Sequence, residues 1–119
     1  MKYSDYLVKN YDFFSILDIG GCIGSILDLK YKDDSFDAVQ CMDVLENLKI
    51  EDVAQALSEI TRIARKYLFL TISESGKTAK PLDWWMIQIS AFGKFLRHKR
   101  EGELLIFTRD GRDDTIGKT

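Results

Sequence analysis

The chain has 119 residues, 45% of them apolar and 30% charged, with a formal charge of −2. That length suits one domain and that apolar content a packed core, while the charge speaks against a bulk polyanion such as nucleic acid as partner. No apolar run reaches the ~18 residues of a membrane helix, and the first residues lack a signal-peptide pattern.

Tyr3, Leu7 and Tyr11 fall at helical spacing, with Ser4 or Asp5 as cap, and predict a short helix. Phe14 to Ile19 is a compact apolar run that stops at Gly20-Gly21, which reads as a buried strand. Asp33-Asp34-Ser35 is a turn signal, and Phe36 to Met42 predicts a second strand. Glu51 to Lys66 carries an apolar stripe of Val53, Leu57, Ile60 and Ala64, with acids in its first turn and bases in its last. It predicts the strongest helix of the chain. Tyr67 to Ile72 is apolar at nearly every position, the pattern of a strand covered on both faces.

Ser73 to Lys80 reads as a polar loop, and Pro81 opens a helix carrying Trp84, Trp85, Ile89 and Phe92 that ends at Gly93. Lys94 to Arg100 and Glu103 to Arg109 flank Glu101-Gly102 and predict a β-hairpin. Residues 1–109 then form one domain, and the polar stretch 110–119 a flexible tail. The alternation predicts an α/β fold, a mostly parallel sheet closed by an antiparallel C-terminal hairpin. Cys22 and Cys41 are too few for a disulfide framework and read as reduced thiols of a cytoplasmic protein.

Three segments carry chemistry. Ile16-Leu17-Asp18-Ile19-Gly20-Gly21-Cys22-Ile23-Gly24 places a strand before a loop free of bulky side chains, where a ligand can approach the backbone. Leu27 to Val39 runs into Cys41-Met42-Asp43-Val44-Leu45-Glu46-Asn47-Leu48, a strand with carboxylates at its carboxyl end. The helix 51–66 then leads into Tyr67-Leu68-Phe69-Leu70-Thr71-Ile72. In this order the segments resemble the class I S-adenosylmethionine-dependent methyltransferases, over residues 14 to 109.

The resemblance implies a Rossmann-like sheet with S-adenosylmethionine as cofactor. It implies a cofactor site built from Asp18, Gly20, Gly21, Cys22, Gly24, Asp28 and Met42. Asp18 holds the cationic methionine end. The departures are as specific. Gly24 and Leu27 are almost adjacent where the family inserts two helices and two strands. The acid that holds the ribose therefore has no counterpart, and Asp28 is left to serve the adenine side. Cys22 replaces the loop's middle glycine, and Asn47 stands where members often carry His. Cys22 reads as a packing residue and Cys41 as core.

With that segment gone, helices 51–66 and 81–92 share one face of the sheet, and only the N-terminal helix remains for the other. An uncovered apolar face and an open edge at the first strand predict a homo-oligomer, a symmetric dimer.

Asp43, Glu46 and Glu74 follow strand ends and are the candidate catalytic residues, suited to orienting a cationic amine. Trp84 and Trp85 offer cation–π contacts, although one of them suits the core better. Tyr3 and Tyr6 are candidates for a lid, with helix packing the plainer role. His98 lies in a basic, solvated hairpin strand. No metal-ligand spacing and no Ser/His/Asp arrangement is present. The function this predicts is methyl transfer to a small molecule, an amine. The alternatives are a non-catalytic binding or regulatory subunit of the same fold, or other chemistry on the same cofactor.

Overall fold

The computed structural model describes residues 4–20 and 26–109. The elements are α1 (Ser4–Asn10), β1 (Ile16–Ile19), β2 (Phe36–Met42), a 3-10 turn (Leu45–Asn47), α2 (Ile50–Ile63), β3 (Ala64–Thr71), α3 (Leu82–Ser90), β4 (Arg97–Glu101) and β5 (Leu104–Thr108). The predicted tail at 110–119 and the loop residues Gly21, Cys22 and Gly24 lie outside the described residues.

Element order matches the sequence expectation, and boundaries shift where tertiary contacts compete with helical periodicity. The predicted helix to Lys66 stops at Ile63, and Ala64 turns extended so that it pairs with Phe36 of β2. That frees Arg65 to meet Asp37 of the neighbouring strand. Phe14 falls outside β1 and is 93% exposed. α3 ends at Ser90, and the chain turns through Gly93, whose φ of +78° suits glycine.

The described strands form one sheet in the order β1-β2-β3-β5-β4. β1, β2 and β3 are parallel, and β5 runs antiparallel to both β3 and β4. Helix α2 makes the β2-to-β3 crossover, as parallel pairing requires.

Period-2 alternation assigns the two faces. On one, Val39, Cys41, Leu68, Leu70, Leu105 and Phe107 meet the buried stripe of α2 and Trp85 and Ile89 of α3. On the other, Ala38, Tyr67, Phe69 and Ile106 pack under Leu7 of α1 and Tyr11. The second face is thus covered, against the expectation of a bare one: ring contacts of Tyr11 with Tyr67 at 5.2 Å and of Phe13 with Phe69 at 5.6 Å do the covering. Seven helical residues suffice because the chain after α1 adds its own aromatics. Among the described residues β1 stays an open edge of the sheet, with Ile16 37% exposed.

Asp37 anchors the start of β2. Its carboxylate accepts the Phe14 N–H at 2.7 Å and the Arg65 guanidinium at 2.6 Å. Burial pushes this carboxyl up, but those two donors outweigh it and hold it below its ordinary value. A lowered carboxylate stabilises the fold above its unfolded pKa and loses that contribution as pH falls through the folded one. Asp37→Asn is therefore expected to cost about 2 kcal/mol at neutral pH. In urea titrations the gap between variant and wild type narrows as the pH drops below the ordinary aspartate range; a gap independent of pH contradicts this account.

Candidate functional site

Two concavities open at the carboxyl ends of the parallel strands, where sheets of this kind place ligands. The smaller, about 430 Å³, lies beside β1 and is lined by Asp18, Gly20, Asp28, Lys30 and Tyr31. A Cβ built on Gly20 meets nothing within 4 Å among the described residues, so this backbone borders space that they leave open. Asp28 pairs with Lys30 at 2.6 Å, both exposed.

The wall formed by residues 28–33 is held by α2. Glu59 accepts the Leu29 N–H at 2.8 Å, and Arg62 donates to the carbonyls of Leu29 at 3.0 Å and Tyr31 at 2.7 Å. Arg62 also meets Asp33 at 3.0 Å. This non-helical stretch thereby has partners for its backbone.

The larger cleft, about 680 Å³, lies between the ends of β2 and β3, the start of α3 and the β4–β5 hairpin. Among the described residues four carboxylates line it, Asp43, Glu74, Asp83 and Glu103, against the single cation Arg100. Met42 borders it at the end of β2. Asp43 takes a positive φ of 57° and is fixed there by Thr71, whose hydroxyl donates to its carboxylate at 3.0 Å. Its own N–H reaches the Thr71 carbonyl at 2.9 Å. Glu74 accepts the Leu82 N–H at 3.2 Å, at the first turn of α3.

Of the residues singled out in sequence, Asp18, Gly20 and Asp28 thus share one concavity, and Asp43, Glu74 and Met42 the other. Glu46 joins neither lining. It is 3% exposed, and one carboxylate oxygen has no partner among the described residues. Burial raises its pKa, Asp43 adds to the rise, and backbone N–H groups including that of Ser73 oppose it. Position after a strand end does not reveal that the 3-10 turn rotates Glu46 inward while Asp43 stays exposed.

Trp85 is core, and Lys80 lies 5.5 Å from the ring of the half-buried Trp84. Cys41 is buried, and burial, with the charges of Glu46 and Asp18, pushes its thiol up to about 12. Tyr6 packs edge-on to Tyr11, and Tyr3 lies outside the described residues. His98 is exposed. Sequence reasoning missed Asp83, Arg100 and Glu103, which reach the cleft from elements that carry no local motif.

Residues 9–70 match the sequence profile of the methyltransferase domain. The chain belongs to that family. It is a class I S-adenosylmethionine-dependent methyltransferase domain in shortened form. In fold it is similar to a SAM-dependent methyltransferase from Thermotoga maritima described as a possible histamine N-methyltransferase, with a TM-score of 0.56 and 19% identity. That alignment covers 71% of this chain and 61% of the other, so the chain spans under two thirds of that relative's length. A second match is the PH0226 protein of Pyrococcus horikoshii OT3, with a TM-score of 0.39, 16% identity, and 77% and 42% of the two chains covered. No curated protein matches the chain.

The family's cofactor is S-adenosylmethionine, and the residues present suit it. Gly20 borders space left open by the described residues, and Asp18 lines the same concavity, the backbone opening and carboxylate that a cationic methionine end calls for.

Gly76 closes the wall between Glu46 and the 73–81 loop. Its φ is +105°, and a Cβ there would sit 2.7 Å from the Glu46 carbonyl oxygen. Gly76→Ala is expected to lower stability by about 2 kcal/mol, read as a shifted urea midpoint with unchanged slope. An unchanged midpoint would show that the loop is free to move off this contact.

Proposed function

We propose that this domain transfers the methyl group of S-adenosylmethionine to a small cationic amine held in the larger cleft. The observation that carries the reading is that cleft's composition, four carboxylates against one arginine beside the cofactor-side concavity. When bound, the cofactor supplies an activated methyl group, so positioning matters more than a strong base.

In this reading Asp18 holds the methionine end, Gly20 admits the cofactor and Asp28 serves its adenosine side. Gly21, Cys22 and Gly24 complete the loop, and Met42 borders the reacting atoms. Asp43 and Glu74 orient the amine, their positions fixed by Thr71 and by the first turn of α3. Glu46 is buried and lines neither concavity, where its catalytic role was expected at the cleft itself. Because only a nitrogen with a free lone pair accepts a methyl group, the carboxylates also receive the proton that the amine gives up.

We further place residues 1–109 in one domain, in the cytoplasm, where Cys41 stays reduced. No helix among the described residues is long and apolar enough to cross a membrane. The open β1 edge, with exposed Phe14 and Ile16, favours a homodimer.

Calorimetric titration with S-adenosylhomocysteine tests the cofactor assignment. Micromolar binding is expected for wild type, with at least a tenfold loss for Asp18→Ala; no binding at millimolar ligand would move the assignment to a non-catalytic subunit. Asp43→Asn is expected to lower kcat/KM for amine methylation at least tenfold while leaving S-adenosylhomocysteine binding intact. Sedimentation at micromolar concentration is expected to show a dimer, and a monomer there sinks the edge-pairing proposal.

A further inference from the structure

One polar side chain in the sheet is unexplained by packing. Gln40 lies in the middle of β2, is 2% exposed, and its Oε1 has no partner among the described residues. It stands on the α1-side face, where the neighbouring positions of the same face are Ala38, Phe69 and Ile106. An unpaired amide oxygen among such residues is destabilising, and an aliphatic side chain would avoid that cost.

Its position gives the oxygen a use. Gln40 is in register with Asp18 of β1, and in parallel strands in-register residues point to the same face. Asp18 borders the smaller concavity. Two residues further along the same face of β2 is Met42, which borders the larger cleft. Gln40 itself lines neither concavity; it stands beside Asp18, the carboxylate assigned to the cofactor's methionine end, and two residues before Met42. That end carries an ammonium group with three N–H donors, more than one carboxylate satisfies.

We propose that the Gln40 carboxamide oxygen, beside Asp18, is the second acceptor for the cofactor's α-ammonium group. The inference rests on the cofactor assignment made above and adds a residue that its loop motif does not contain. Binding then supplies the partner that Oε1 lacks in the protein alone. The same contact fixes the methionine end along β2, so the sulfonium is carried toward the cleft bordered by Met42.

The test compares two ligands that share the adenosine thioether. S-adenosylhomocysteine carries the ammonium group, and 5′-methylthioadenosine lacks the whole amino-acid end. Gln40→Met keeps the volume and removes the acceptor. Titration calorimetry is expected to show about a tenfold loss for S-adenosylhomocysteine and less than a twofold change for methylthioadenosine. Gln40→Glu, which restores an acceptor, is expected to bind S-adenosylhomocysteine at least tenfold more tightly than Gln40→Met. Equal losses for both ligands would assign Gln40 to the fold, and no loss for either would leave its oxygen to solvent; both overturn the inference. If wild type binds neither ligand, the cofactor assignment falls first and this inference with it.

Discussion

The guanidinium of Arg62 is the contact on which the arrangement depends. Residues 28–33 of the link from β1 to β2 lie in no helix or strand, so their backbone groups need partners elsewhere. Arg62 takes the carbonyls of Leu29 and Tyr31, and Glu59 takes the Leu29 N–H. The carbonyls at the end of α2 are satisfied in turn: Lys94 donates to those of Thr61 and Arg62, and the Asp34 N–H reaches that of Arg62. Exposed ion pairs contribute little, but a planar donor bonded to two main-chain carbonyls fixes geometry. One turn of helix thus ties together the cofactor-side wall, the β2–β3 crossover and the approach to the hairpin.

With that link in place, β2 stands between β1 and β3 in the sheet. Its carboxyl end separates two concavities, one bordered by glycine and Asp18, the other by carboxylates from four parts of the chain. The strand core beneath is apolar on both faces, so the ends of the strands hold fixed positions while the loops vary. Polar exceptions to that core are few and informative. Asp37 is explained by Arg65 and the Phe14 N–H, and Gln40 is the one in β2 that packing leaves unexplained.

Much of this was legible in the sequence. The end of β1 before Gly20 and the stripe of α2 each follow from local rules: a glycine that breaks an apolar run, and helical period. The α/β order and the hairpin follow from alternation. Less legible were boundaries set by partners far along the chain. Helical periodicity runs past Ile63, yet Ala64 to Lys66 are strand because Phe36 and Asp37 offer pairing. A bare second sheet face was a fair expectation from the count of helices; the aromatics of the α1 region cover it instead.

For the site the division is sharper. Sequence determined that carboxylates follow the strand ends, because the order of motif, strand and turn is a local property. Only the tertiary structure decided which of them share a cleft. Asp43 faces outward on a left-handed residue, Glu46 turns into the core three residues later, and Asp83, Arg100 and Glu103 arrive from α3 and the hairpin. The reason is geometric: direction and company of a side chain depend on rotations summed along the backbone and on elements paired across the sheet. Spacing in the chain encodes neither.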